Sequence, residues 1–236
     1  VTDPEVSRET PVVPEVARRV FAVERLSLME AYASRLADDG VVRGLIGPRE
    51  VPRLWDRHLV NCGLLHRSIG SGASVADVGT GAGLPGLVLG IARPDLEVTL
   101  IEPLLRRTTF LEEVVAELGL DNVEVHRGRA DSLHGRRRFD VVTSRAVAPL
   151  ERLADWCMPL VAGEGRMLAL KGSSAESEVA SCAAVLGRKG SAKPEVETIE
   201  EAGAESITVV SVRWASRTAI VWGARSRSGA TSRRRR

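Results

Sequence analysis

Apolar residues along this 236-residue chain change their spacing near residue 70. From Pro14 to about Ala37 they recur at helical intervals (Val16, Val20, Phe21, Leu26, Leu28, Met29, Tyr32, Leu36), which predicts two helices with a break near Ala22 to Arg25. Asp38-Asp39-Gly40 ends that segment, and Gly47-Pro48 opens another helix over roughly 49–69, closed by Gly70-Ser71-Gly72. Beyond it, short apolar runs at 74–78, 96–102, 122–126, 139–144 and 164–171 predict strands. Helical patterns at 84–92, 106–118, 149–160 and 175–188 separate them, and Arg93-Pro94-Asp95 stops the first of these helices. Alternation of this kind gives a mostly parallel sheet covered on both faces through right-handed crossovers. Two further runs, Ser206–Val212 and Thr218–Trp222, read as strands close enough to form an antiparallel hairpin; the pattern does not set the register from 190 to 210.

The pattern divides the chain into a flexible N-terminus (1–13), N-terminal helices (14–72), an α/β domain (73–224) and a basic disordered tail (225–236). With 44% hydrophobic residues the chain can bury a full core. Its net charge is +2, but six arginines and no acids lie in 225–236, leaving residues 1–224 at −4. Such a tail attracts polyanions without reading sequence, or serves only as a solubilising end. Cys62, Cys157 and Cys182 form no C-x-x-C pair, and four scattered histidines show no ligand spacing. Free thiols in a reducing cytoplasm, with no metal site, are the expectation. No apolar run approaches the ~18–20 residues of a membrane span, and no signal peptide opens the chain.

Candidate chemistry concentrates where the first strand runs into Asp77-Val78-Gly79-Thr80-Gly81-Ala82-Gly83-Leu84-Pro85-Gly86. Glycines at 79, 81 and 83 leave no Cβ in the way, so the backbone can turn sharply and a ligand can lie against it. Pro85 suits a first helical turn, and free N–H groups of the loop would then point at the ligand. Residues 81–86 satisfy G-x-G-x-x-G, a weak dinucleotide signal by itself. Read from Asp77, the stretch is D-x-G-x-G-x-G, which resembles the loop of class I S-adenosylmethionine (SAM) methyltransferases. A tight turn with no ligand is the third reading. A parallel sheet finished by an antiparallel hairpin fits the methyltransferase better than a dehydrogenase, which would also need a second nucleotide-binding half.

Other polar residues fall at the carboxyl ends of the predicted strands, where ligands of doubly wound sheets bind. Glu102, 19 residues after Gly83, ends the second strand and can accept both ribose hydroxyls, or else caps the helix starting near Arg106. Ala130 and Asp131, after the third strand, can face an adenine edge, though Asp131 also suits a surface turn. Arg145 ends the fourth strand and can contact cofactor or RNA phosphate. Lys171 ends the fifth, as a second cation at that rim or a solvated strand end. In the preceding helix, Arg57, His58 and Asn61 offer polar groups just upstream of the loop, with a purely structural histidine as the alternative.

Laid out together, these stretches resemble the RsmG (GidB) family of bacterial 16S rRNA methyltransferases. The matching segments are R-L-W-D-R-H-L-V-N-C at 53–62, D-V-G-T-G-A-G-L-P-G at 77–86 and R-P-D at 93–95. E-P-L-L-R-R at 102–107, S-R-A at 144–146 and A-L-K-G at 169–172 continue the match, which spans about 50–175. The resemblance implies a Rossmann-like class I fold, a seven-stranded sheet with an antiparallel last strand, behind an N-terminal helical extension. It implies methyl transfer from SAM to N7 of a guanine in 16S rRNA, in a small subunit or its assembly intermediate. It also implies SAM contacts at Gly79, Leu84, Ala130, Asp131 and Arg145, to which the loop itself adds Asp77, Gly81 and Gly83.

Guanine N7 has an exposed lone pair and no proton, so its methylation needs no general base. Arg145, Lys171, His58 and Asn61 are therefore candidates for positioning rather than acid–base work. N7 lies on the major-groove edge, too deep in A-form RNA for a protein to reach, so the target should be unpaired or extruded. A SAM enzyme acting on a small molecule or protein, and a non-catalytic ribosome-assembly factor on the same fold, are the competing readings.

Overall fold

Seven strands form one sheet in the order β3-β2-β1-β4-β5-β7-β6 in the computed structural model, which describes residues 12–145, 148–216 and 222. They are β1 (Ser74–Val78), β2 (Glu97–Glu102), β3 (Val123–Arg127), β4 (Phe139–Arg145), β5 (Val161–Lys171), β6 (Glu195–Ile199) and β7 (Ile207–Arg213). Neighbours from β3 through β5 pair in parallel, and β7 runs antiparallel to both β5 and β6. The order reverses between β1 and β4, which opens a crevice at their carboxyl ends.

The hairpin differs from the expected one. β7 matches the predicted run at 206–212, but its partner is the upstream β6. Four of the five β6 residues are exposed, so this edge strand carries no apolar run to announce it. The strand expected at Thr218–Trp222 lies outside the described residues except for Trp222, as do residues 1–11, Ala146 and the basic tail.

Side chains alternate across the sheet with the period of two that extended backbone imposes. Val75, Val98, Leu100, Val141, Leu168 and Val209 join the core beneath α4 (Gly86–Ala92) and α5 (Leu105–Glu117). Ala76, Val78, Ile101, Val142, Met167 and Val210 join the opposite core, under α6 (Leu150–Cys157) and α7 (Ala175–Arg188). A register shift between Phe139 and Val141 sends these two residues to different faces.

The N-terminal helices extend the first of these cores. Met29, Tyr32 and Leu36 come from α2 (Val23–Arg35) and the turn after it, and Leu54, Leu59 and Leu64 from the segment before β1. All six are fully buried with the sheet's own side chains. At ~1.5–3 kcal/mol for each buried side chain, the extension is integral to folding. Phe21 and Ala22 separate the short α1 (Ala17–Val20) from α2; the predicted break is present but falls earlier, because Val23–Arg25 already belong to α2. The expected stop at Asp38-Asp39-Gly40 does not occur: the chain continues as a π-helical turn over Leu36–Gly40, where Asp39 pairs with Arg35 at 2.8 Å. The helix expected over 49–69 is several helical pieces: a 3-10 turn at Pro48–Arg53, a π-helix at Leu54–Val60, α3 (Asn61–Leu64) and a last 3-10 turn at Leu65–Ser68. Pro52 inside the first piece prevents a continuous α-helix. Among the described residues no helix is long and apolar enough to cross a membrane.

Candidate functional site

The glycine loop leaves β1 in left-handed backbone, with φ of 71° at Gly79, 61° at Gly81 and 106° at Gly83. Side chains resist such angles. At Gly83 a Cβ would also lie 2.8 Å from both the Tyr32 hydroxyl and Leu87 Cβ. α4 begins at Gly86, with Pro85 just before it, two residues later than the predicted start. A Cβ on Gly86 would come within 2.5 Å of Leu100 Cδ2 and 2.6 Å of Asp77 Cβ, so α4 can approach the sheet only through glycine.

The loop's N–H groups do not wait for a ligand as expected. Gly79 and Thr80 donate to the Ile101 carbonyl at 2.9 and 3.3 Å, and Gly83 and Leu84 to the Thr80 carbonyl at 2.9 and 3.0 Å. Gly81 donates to Glu102 Oε2 at 3.1 Å, and Gly86 to Asp77 Oδ2 at 2.7 Å. Two carboxylates thus occupy the place where a dinucleotide's pyrophosphate would need donors. An anion is repelled there; a cation is welcome.

Asp77 is fully buried on the α4 face of the sheet. Burial pushes its carboxyl up to about 6, against the pull of the Thr80 hydroxyl, the Gly86 N–H and the Arg145 guanidinium. The Thr80 hydroxyl is close enough to stabilise the Asp77 carboxylate, yet Asp77 Oδ1 and Thr80 Oγ1 are both buried without a hydrogen bond of good geometry among the described residues. Glu102, also buried, accepts from Leu104 N–H at 3.1 Å through Oε1 and from Arg107 Nη1 at 3.2 Å through Oε2. It therefore binds the backbone at the start of α5, one of its two expected roles, and also holds the loop through Gly81.

Ala130 and Asp131 meet Gly79 around a cavity of about 240 Å³. Val78, Ile101 and Pro103 form its apolar wall, and Arg152 and Trp156 of α6 reach across the opening. The Arg152 guanidinium lies 5.1 Å from the Trp156 ring centroid. Neither is among the residues expected from sequence. Their i, i+4 spacing on a predicted helix is visible there, but that the helix crosses the cavity is a tertiary fact. Leu84 is packed in the core beneath the loop.

A wider cleft of about 750 Å³ opens at the ends of β4 and β5, lined among others by Arg57, Asn61, Arg145, Lys171 and Glu205. Arg145 projects from the same sheet face as Asp77, and its charge is felt at Asp77, His58, Cys62 and Tyr32. Its guanidinium makes no hydrogen bond or ion pair with the described residues. Lys171 does not join it as a second free cation. One step along β5 from Leu170, Lys171 turns to the opposite face, where Nζ donates to Glu178 Oε2 and the Ala148 carbonyl, both at 2.8 Å. Its side chain is only 8% exposed, so it is not a solvated strand end either.

His58 Nε2 lies 2.8 Å from Glu50 Oε2. Burial, then the Arg145 charge, lowers the imidazole's affinity for a second proton more than Glu50 restores it. The His58 bond holds the Glu50 carboxyl below its ordinary range. The shift favours the neutral ring, which meets Glu50 through Nε2. Its Nδ1, like Asn61 Oδ1, is buried without a partner among the described residues. Asn61 reaches the cleft; His58 stands behind it. The three cysteines are free and buried, and Cys62 is pushed up to about 11 by burial, which leaves no reactive thiol among them. Among the described residues no group of three or more His, Cys, Asp or Glu can hold a metal.

Residues 25–207 match the profile of the family described as GidB, rRNA small subunit methyltransferase G. The chain is 59% identical over 219 residues to a Nocardioides protein named ribosomal RNA small subunit methyltransferase G, covering 92% of this chain and 88% of that one. The Streptomyces avermitilis protein of the same name is 49% identical over 238 residues, covering 96% and 98%. Among solved structures, the B. subtilis tRNA methyltransferase TrmK superposes with a TM-score of 0.51 at 16% identity, over 70% of this chain and 68% of that one. That last likeness concerns the fold alone.

Proposed function

Since the chain belongs to the GidB family of small-subunit ribosomal RNA methyltransferases, we propose that it methylates N7 of a guanine in 16S rRNA. SAM is the donor and supplies a methyl carbon made electrophilic by its sulfonium. The observation that carries this reading is the closure of the glycine loop by Asp77 and Glu102, which disfavours a pyrophosphate and favours a positively charged ligand. The unpartnered oxygens of Asp77 and Thr80 suit that charge. The cavity at Gly79, Ala130 and Asp131 suits the adenine, Glu102 beside the loop would accept the ribose hydroxyls, and Arg145 can hold a carboxylate.

Methylation at N7 needs no general base, because N7 carries no proton. The N7 lone pair forms the new C–N bond as the C–S bond breaks, and positive charge passes from sulfur to the base without proton release. Holding N7 in line contributes up to ~7–11 kcal/mol in favourable cases. A free cation against the ring would oppose the step, and pairing with Glu178 takes Lys171 out of that role. Lys171 instead fixes the Ala148 carbonyl at the cleft edge. Arg145 is left to orient phosphate or cofactor, while Arg57 in the same cleft is already paired with Glu50 at 3.2 Å. The substrate is an unpaired or extruded guanine in the small subunit or its assembly intermediate, and the place of action is the cytoplasm.

Labelled methyl transfer from SAM tests this. Purified small subunits or their precursors should accept label as N7-methylguanosine. Transfer only to a metabolite extract, or label at another atom, would overturn the proposal.

A further inference from the structure

Two carboxylates line the open cleft, and they are not equivalent. Glu178 is fully engaged: Oε2 accepts from Leu150 N–H and Lys171 Nζ, both at 2.8 Å, and Oε1 from the Ser174 hydroxyl at 3.0 Å. Glu205 has one charged neighbour among the described residues, Arg53 at 3.7 Å, too far for a hydrogen bond. Glu205 lines the cleft with its side chain 63% exposed, so its oxygens are open to a ligand.

The backbone beneath Glu205 is held in place. Arg67 binds the Glu200 carbonyl at 3.1 Å and the Glu201 carboxylate. Arg19 binds Glu201 at 3.2 Å and the Ala202 carbonyl at 2.5 Å. Arg19 and Arg67, from the N-terminal segment, thereby fix the start of the turn between β6 and β7, three to five residues before Glu205. A carboxylate presented this way is of no use to a phosphate, which it repels. It fits a ligand edge that carries two adjacent donors.

Guanine has that edge, at N1–H and the N2 amino group, and adenine does not. We propose that Glu205 determines specificity by accepting both donors from the target guanine; this rests on the guanine-N7 reading above. The contact leaves N7, on the other ring, free to face the donor. It also strengthens as N7 bonds to carbon, because the base becomes cationic and its N1–H more acidic. Glu205 then stabilises the transition state more than the ground state.

The test uses the full chain and an RNA carrying guanine or inosine at the mapped target, inosine lacking only the N2 amino group. Wild-type protein should prefer guanine by about 10-fold. Glu205→Ala should lose about 10- to 100-fold in kcat/KM for RNA, with KM for SAM and Tm unchanged, and should treat the two bases alike. Glu205→Gln, with one acceptor kept, should fall between. Arg53→Ala, which removes only the ion pair, should keep full activity and the preference. RNA binding measured without SAM should show the same loss of discrimination in Glu205→Ala. A Glu205→Ala protein that keeps the wild-type rate, or the wild-type preference for guanine, overturns the proposal. Absence of N7-methylation by wild-type protein overturns the parent reading, and this one with it.

Discussion

The Tyr32 hydroxyl, on α2 of the N-terminal extension, donates to the Ala82 carbonyl in the middle of the glycine loop at 2.7 Å, with Tyr32 fully buried. The same oxygen fills the space that a Cβ on Gly83 would take. The helices before the sheet therefore shape the ligand loop directly. Burial raises the phenol well above its ordinary value, so it remains a donor at any working pH.

Removing that hydroxyl with Tyr32→Phe leaves the Ala82 carbonyl without its partner. The expected cost is about 1 kcal/mol of stability, with SAM affinity falling roughly 3- to 10-fold. Calorimetric titration beside thermal unfolding separates the two effects, and an unchanged affinity would show that the loop holds its shape without α2.

Asp77 sets a pH dependence with an unusual sign. Its carboxyl is raised to about 6, so between about 4 and 6 the folded protein binds more protons at this site than the unfolded chain. Stability contributed by Asp77 is thus full below pH 4, falls as pH rises to about 6, and is flat above. Asp77→Asn should stabilise the protein at pH 7–8, by at most roughly 3 kcal/mol, and the gain should vanish near pH 4. A cationic ligand favours the ionised form, so SAM should bind the wild type more tightly as pH rises through 6 and the variant more weakly at every pH. Titrations across pH 5–8 decide this; pH-independent binding would place the sulfonium away from Asp77.

The two strand-end cations should separate cleanly. Arg145→Ala should leave Tm almost unchanged and weaken SAM binding more than 10-fold. Lys171→Met strands Glu178 in a half-buried position and should cost roughly 2–4 kcal/mol. Adding Glu178→Gln should recover much of that stability, because the amide oxygen still accepts from Leu150 N–H. Paired melting and binding curves for the three proteins provide the check, and a Lys171 variant defective only in RNA binding would restore it as a substrate contact.

Salt tests the electrostatic part. Removing 225–236 deletes six arginines, and the slope of log affinity against log salt should shallow by up to ~0.7 for each single-strand phosphate that the tail neutralises. Filter binding at several salt concentrations measures it; identical slopes would leave the tail with a solubilising role.

Much of this architecture was legible in the chain because its signals are local. The strand at 74–78 is short and mostly apolar, and Asp77, Gly79, Gly81, Gly83 and Glu102 fall into one cluster because each sits at a strand end or in the loop that follows β1. What escaped was set by register and tertiary packing. Lys171 looked like a partner for Arg145 until β5's alternation placed it on the other face. β6 escaped because an exposed edge strand needs no apolar pattern. Nothing local says that Asp77 and Glu102 fold back onto the loop's own N–H groups, or that α6 carries Trp156 to the cavity.

The most direct measurement maps N7-methylguanosine across 16S rRNA from cells with and without this protein. One N7-methylguanosine should vanish with the protein and return with the wild-type chain but not with Arg145→Ala. A methylation map identical in both strains would contradict the account.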